Sequence, residues 1–508
     1  MNKLPKGIIV ILFTIIFNFF FWQEKFGINL VFFAFLFGGI LYFLNPETRN
    51  KKQTLLAIAG IGISSFGLLY HNSFFSKFMF FSSVFLFVAS LMEKQIKTIY
   101  YLIPSGFLGI ITSPFKKHTF FKAPKTGLSG KSWKWFKLSI IPLSVTIFFM
   151  VIYSMANPVF TNKLNYLVEN LGDYLANLFH HYPFARFIFI AFGLLLGIGI
   201  YYYQSLGLFD ESEKTHDVDL KRIRRPVFEN HSEIPRKSFS TMALKAENNI
   251  ALLTLISLNA LLLFVNLLDI NVFFVQDHAL NSDFSSQLHK GTWMLIFSII
   301  LSAGIVLYIF RRNLNFYKKN QFLKIATYVW IAQNMLLALS VIARVYHYIL
   351  HHGLAYKRIG VIIFVIATIV GLVTLAYKVK NRKTTSFLLR VNGISIFSIL
   401  LIVSIFNWDV IIAKHNFAHA ESKKIDYLFE LTLSDKTLPI LDQNRHLIKQ
   451  KNYSYRKWSS DFPWVKNQSL TQRLDARIAK FKVEYKKRSW LSWNLSDEET
   501  AKYFGINE

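Results

Sequence analysis

The sequence predicts an all-α membrane protein, a polytopic bundle of about eleven spanning helices followed by a small helical extramembrane domain. Three observations predict it. Of 508 residues, 53% are hydrophobic and 52 are phenylalanine, a composition foreign to soluble enzymes. The apolar residues gather in runs of roughly the 17–25 residues that cross the hydrocarbon core. From residue 407 onward the chain turns polar and carries helix caps and apolar stripes instead. The net charge of +29 sits largely in short loops, where lysine and arginine set orientation and meet anionic lipid headgroups rather than nucleic acid. With no cysteine, disulfides, thiolate metal sites and a cysteine nucleophile are excluded.

The first run follows two lysines, as in a secretory signal, yet no small-x-small cleavage site follows it, so it reads as an uncleaved first span. The expected spans are Gly7–Trp22, Gly27–Leu44, Thr54–Tyr70, Phe78–Met92, Leu138–Met155, Ala185–Tyr203, Ile250–Leu268, Trp293–Phe310, Ile325–Leu350, Ile359–Tyr377 and Leu388–Phe406. Arg49, Lys51 and Lys52 follow the second span, Arg311, Arg312, Lys318 and Lys319 the eighth, and Lys378, Lys380, Arg382 and Lys383 the tenth. These loops fall on one side, which the positive-inside rule makes cytoplasmic. Thr98–Phe115 decides the count. Pro104, Gly106, Gly109 and Pro114 read as breaks in a continuous helix, so the run dips in or lies at the interface, and the seven lysines of 116–137 stay cytoplasmic. Eleven spans then put the N-terminus inside and the C-terminal domain outside; twelve would invert every later loop.

Leu164, Leu167, Leu171, Leu175 and Leu178 recur at helical spacing and predict an amphipathic helix on the membrane. The polar stretch 204–249, with eight basic and eight acidic residues, reads as a cytoplasmic linker between membrane halves 1–203 and 250–406. In the domain at 407–508, Ser434 is placed to cap the helix through Leu441, and Leu470, Leu474, Ile478 and Phe481 form an apolar stripe. Ser496 with Glu499 has capping-box spacing, and Trp458, Trp464, Trp490 and Trp493 are expected to pack on the membrane face.

Polar groups at membrane depth are costly unless partnered, and they cluster in the seventh and ninth spans. Asn259, Asn266 and Asp269 share one helical face, and Gln333, Asn334 and Arg344 lie in the ninth span. Asp269 is the expected partner of Arg344. Asp277, His278, Asp283 and His289 follow in the next loop, before Trp293. His347 and His351 stand four apart, the spacing of two metal ligands, but without the glutamate of a zincin motif, so no metal is expected.

These residues also resemble a known family. Asn259, Asn266-Leu-Leu-Asp269, His289-x-Gly291-x-Trp293, Trp330-Ile-Ala-Gln333-Asn334, Arg344, Tyr348, Gly353-Leu354 and Arg358 are similar to the bacterial membrane family catalogued as domain of unknown function 4173, related to 4153. The similarity continues through Asn407-Trp-Asp409, Ile412-Ala413, Asn416, Asp426-Tyr-Leu428 and Leu433-Ser434-Asp435, with a weaker echo at Trp490–Ala501. It covers roughly Asn249 to Leu441. His352 departs from the family's tyrosine before the glycine. The resemblance implies a polytopic protein of a bacterial cytoplasmic membrane and supplies no reaction.

Walker, dinucleotide, nucleophile-elbow and kinase motifs are absent, which favours a non-enzyme without a cofactor. The leading expectation is transport or translocation of a small solute or ion through a polar cavity between helices seven to nine. A second is a sensor or assembly scaffold that binds an envelope protein through its C-terminal domain. A third is an intramembrane or interfacial enzyme using Asp269, His278 or His289 as general base, with Asp277, His278, His289 and Trp293 as the outer-face cluster.

Overall fold

The computed structural model describes residues 6–116, 184–214, 219–220, 241–271, 282–310, 313–420, 425–450 and 469–506, with isolated positions between 146 and 167. Among these residues the chain is helical and has no strand; Asp219 and Lys383 form an isolated bridge. The N-terminal bundle comprises α1 (Lys6–Phe21), α2 (Ile28–Leu44), α3 (Lys52–His71), α4 (Phe74–Met92), α5 (Ile99–Thr112) and α6 (Phe184–Tyr201). The second bundle comprises α7 (Thr241–Ile270), α8 (Ser282–Ile309), α9 (Gln321–His352), α10 (Tyr356–Asn381) and α11 (Thr385–Val403). The C-terminal domain holds α12 (Trp408–Ala418), α13 (Leu438–Gln443), α14 (Arg445–Gln450), α15 (Leu470–Lys486) and α16 (Leu495–Tyr503).

Six helices, α3, α4, α7, α9, α10 and α11, are long and apolar enough to cross a membrane, and α1, α2, α5, α6 and α8 contribute shorter apolar stretches. The protein is a helical membrane protein. Many of its leucine, isoleucine and phenylalanine side chains point outward, as a lipid-facing surface requires. The expected span Leu138–Met155, the amphipathic helix around Leu171, Trp458 and Trp464 lie outside the described residues.

Phenylalanine builds the first core. The rings of Phe13, Phe33 and Phe37 meet at 4.7–4.8 Å, and Tyr201 closes the cluster by donating to the Phe37 carbonyl. Here the reading of α5 needs correction. Pro104 does not break the helix, which runs unbroken from Ile99 to Thr112, and Gly106 serves close packing instead. A Cβ on Gly106 would lie 2.3 Å from the Phe85 carbonyl oxygen, and one on Gly199 of α6 2.2 Å from that of Ile110. Helices packed this tightly on both sides hold the proline in place.

The polar contacts sort the loops onto two faces. On one, Lys94 pairs with Glu47, Lys51 reaches the Glu93 carbonyl, Lys383 pairs with Asp219 and the Arg382 guanidinium covers Phe316. Both ends of α5 reach this face through the segment leaving α6. Tyr101 stacks on Phe209, Arg390 binds both Thr98 and Glu213, and Lys116 reaches the carbonyls of Gln204 and Ser205. The chain enters α6 at the opposite face, where Arg186 lies over Trp22.

The C-terminal domain sits on that opposite face. Ile28 donates to the Trp493 carbonyl, Lys25 pairs with Glu484, and His71 and the Ser404 carbonyl join the ends of α3 and α11 at 3.1 Å. The domain's core contains Leu470, Leu474, Ile478 and Phe481, the stripe read from spacing. Two caps differ from expectation. Ser434 makes no side-chain cap, because its carbonyl takes the turn at Thr437 and α13 begins only at Leu438. Asn494 rather than Ser496 caps α16, accepting from the Asp497 amide, since Asp497 is held in turn by Arg488. Trp493 bonds Glu498 through its indole, whereas Trp490 is exposed.

Candidate functional site

Helices α7 and α9 run parallel, because α8 returns the chain to the first face. Their hydrogen bonds show it: Asn259 Nδ2 donates to the Ala326 carbonyl at 3.0 Å and Asn266 Nδ2 to the Gln333 carbonyl at 3.1 Å, each across 67 residues. Between these rungs Gln333 Nε2 donates to Asn259 Oδ1 at 2.9 Å. At the far end Arg344 Nη2 lies 2.5 Å from Asp269 Oδ1, and the Ser340 hydroxyl donates to Asp269 Oδ2. Both charged side chains are largely buried, at 12% and 14% exposure. Seven residues separate successive asparagines, two helical turns, so one face of α7 carries the whole ladder. Asn334 bonds within its own helix, to the Trp330 carbonyl. The seam's bonded groups join helix to helix where lipid offers no hydrophobic drive, while Gln333 Oε1 and Asn334 Oδ1 are buried without a hydrogen bond among the described residues.

A second cluster lies where α9 turns into α10. Arg358 stands 4.5 Å over the Tyr348 ring and donates to the carbonyls of His352 and Gly353. Gly353 has φ +75°, and a Cβ there would meet Asn416 Oδ1 at 2.6 Å, so glycine alone fits. Asn416 acts as a two-way connector. Its Oδ1 accepts from the Leu354 amide, while its Nδ2 donates to the Leu354 carbonyl and to Glu430 Oε1 at 2.7 Å. Burial in the domain core pushes the Glu430 carboxyl up to about 7, with Asp426 adding to the shift. Trp293, Arg344, Tyr348, Lys357 and Arg358 surround a cavity of about 230 Å³ beside this cluster. Asp277 and His278 lie outside the described residues, as do the side chains of Asp283 and His289. His347 and His351 share a helix face, and among the described residues no group of three potential metal ligands converges.

A larger chamber, about 960 Å³, lies elsewhere, between α10, α11, the start of α4 and the C-terminal domain. Ile363, Phe364, Ile399 and Leu400 wall its apolar part, and Trp408, Asp409, Ser434 and Lys436 form its polar end together with Asn72. From Tyr356 to Ala367 along α10 the wall descends about 16 Å at 1.5 Å per residue, roughly half the ~30 Å hydrocarbon core. Several groups at the polar end lack partners among the described residues. Asp409 Oδ1, Ser434 Oγ and Asn72 Oδ1 are buried without a hydrogen bond. Burial pulls the Lys436 ammonium below its ordinary range, against the attraction of Asp497, Asp409 and Asp435.

Sequence reasoning reached Asp409 only as a member of a motif and Ser434 as a motif member and a helix cap, and missed Lys436 and Glu430. The signal for Lys436 was one position beyond the last motif residue, Asp435. Glu430 was visible as an acid closing the apolar run Tyr427-Leu-Phe, in the same helical turn as the cap Asp426. Lys378, counted among the basic loop residues, is instead 2% exposed at the end of α10 and faces the Phe310 carbonyl at 3.5 Å.

The motif residues, scattered along the chain, therefore meet in pairs: Asn259 with Gln333, Asp269 with Arg344, Tyr348 with Arg358, Leu354 with Asn416. No curated protein and no solved structure matches the chain. The profile described as domain of unknown function (DUF4153), the relative named by the resemblance, matches residues 54–444, reaching well into the N-terminal bundle beyond the Asn249–Leu441 stretch of the resemblance. The chain belongs to the DUF4153 family.

Proposed function

We propose that the protein binds a lipid of the outer leaflet and presents its headgroup to the extramembrane domain. The observation that carries this reading is the 960 Å³ chamber: one leaflet deep, apolar along its length, and closed by charged and polar groups from the domain. Transport of a small solute through α7–α9 draws less support, since Asn259, Asn266, Asp269 and Arg344 are engaged across the seam and no described cavity of comparable size lies along it. The test uses a phospholipid with a photoactivatable acyl chain. Gly360 faces the chamber, and a Cβ there meets nothing within 4 Å, so Gly360→Phe fills the space without touching backbone. Labelling of α10 and α11 peptides falls roughly tenfold in that variant, while labelling of the outward face of α7 is unchanged. Equal labelling of wild type and variant means only bulk lipid was captured and overturns the reading.

The same reading takes the basic face as cytoplasmic and the domain as extracytoplasmic, in the cytoplasmic membrane of a bacterium. Eleven crossings follow on this reading, with α5 returning to its own side. The absence of cysteine makes this simple to test. In intact cells an impermeant maleimide labels Ala479→Cys, exposed on α15, and spares Gln95→Cys, exposed between α4 and α5, until lysis. The reverse pattern inverts the topology.

A further inference from the structure

We propose a second site, in the cavity of about 230 Å³ at the α9–α10 turn, which binds a phosphate group carried by a lipid headgroup or free in solution. The site stands apart from the lipid chamber. Tyr356, Ile359, Gly360 and Ile363 line that chamber, whereas Lys357, Arg358 and Val361 of the same helix line the smaller cavity. Trp293 of α8 and Arg344 and Tyr348 of α9 close it, and no acid is among the residues that line it. Arg344 is neutralised by Asp269, which leaves Lys357 and Arg358. Lys357 is exposed, and Arg358 spends Nη1 on the carbonyls of His352 and Gly353 while lying over the Tyr348 ring. Among the described residues neither pairs with a carboxylate, and Glu430, the other described acid tied to this turn, is held by Asn416. The cavity thus holds two positive charges with no described anion to answer them.

Size and local structure narrow the ligand. The volume equals the share of roughly seven or eight liquid waters, enough for a phosphate and a little hydration but below the ~300 Å³ at which sites for whole small molecules begin. Helix α10 starts at this cavity, and its N-cap, Ala355, brings no side-chain acceptor, so the positive end of a 26-residue helix adds to the two cations. A planar guanidinium fork beside an ammonium on a flexible stem suits an anion with several oxygens. A carboxylate brings one charge and two oxygens; a phosphate monoester brings up to about two charges and three oxygens. Trp293, 59% exposed, marks the headgroup level on this face, where a lipid phosphate and a dissolved one both have access.

The experiment reads Lys357 directly. The full-length protein in an alkyl maltoside micelle, free of phosphate, is treated with an amine-reactive reagent, and the acylation rate of Lys357 is compared by mass spectrometry with that of Lys414, also exposed, on α12. Saturating inorganic phosphate slows Lys357 roughly tenfold and leaves Lys414 unchanged, while acetate at equal ionic strength protects neither. Arg358→Lys keeps the charge but loses the fork, so half-protection takes roughly tenfold more phosphate. Nanodiscs identify the source. Protection of Lys357 by phosphatidylglycerol alone, relieved in Arg358→Lys, assigns a lipid headgroup; protection that still requires added phosphate assigns a soluble one. The wild-type micelle result decides the site by itself: equal effects of phosphate on Lys357 and Lys414, or equal protection by acetate, overturn it. Asp277 and Asp283 precede Trp293 in the chain. If replacing both by asparagine tightens phosphate protection by roughly tenfold or more, those carboxylates answer the cations in the native protein and the proposal fails. None of these outcomes bears on the chamber, whose own test is Gly360→Phe.

Discussion

Replacing Asp269 by alanine is expected to destabilise the α7–α9 unit by roughly 3–5 kcal/mol, the cost of leaving one member of a buried ion pair alone. Arg344 would keep its charge without the Asp269 carboxylate, and Ser340 would lose that acceptor, at a depth where water compensates poorly. Replacing both charges with apolar residues, Asp269→Leu with Arg344→Met, recovers most of that loss, because no uncompensated charge remains. Reversible unfolding in mixed micelles measures the cycle. If the single and double variants are equally unstable, the pair is not coupled and the seam is held by its amides. If Asp269→Asn folds as wild type but loses lipid labelling, the ion pair has a role beyond holding helices together.

The second large effect concerns pH. Glu430 has its folded carboxyl raised from 4.5 to about 7, so its contribution to stability is complete below 4.5 and is lost as pH rises through 7. At 1.36 kcal/mol per unit the loss is on the order of 3 kcal/mol. Glu430→Gln retains an oxygen to accept from Asn416 and carries no charge, so it should match wild type near pH 4.5 and exceed it at pH 8. Thermal midpoints of the two proteins across this range decide it. Parallel curves would show that another group carries the pH dependence. Because Asn416 links Glu430 to Leu354, proteolysis at the α9–α10 turn should rise with pH in wild type and stay flat in the variant.

The polar seam was legible in part for a simple reason. Few acids exist at membrane depth, so Arg344 had few partners to choose from, and seven-residue spacing put Asn259 and Asn266 on one face. What spacing could not say was the direction of the opposing helix, which makes the contacts a ladder of side chain to backbone at constant offset. The α5 reading failed because proline and glycine signal breakage locally, whereas here the neighbouring helices α4 and α6 press close enough to keep the helix whole. Ser434 failed as a cap for a related reason: a free hydroxyl near a helix start is available to a cavity as well as to an amide. The chamber itself left no trace in any single segment, since its walls come from α4, α10, α11 and the domain, and each reads alone as lipid-facing or solvent-facing.

The contacts between the α1–α2 turn and Ser492 join groups 467 residues apart. During synthesis the first two helices are in the bilayer long before the segment that bonds to Lys25 and Ile28 leaves the ribosome. The chamber, roofed by residues after 407, is completed only once those residues have been made, long after α4 is in place. Until then, ordinary bilayer lipid lies against the exposed faces of α10 and α11, and the closing domain can trap one such molecule as it docks. The first occupant would then be acquired with the fold and not recruited afterward.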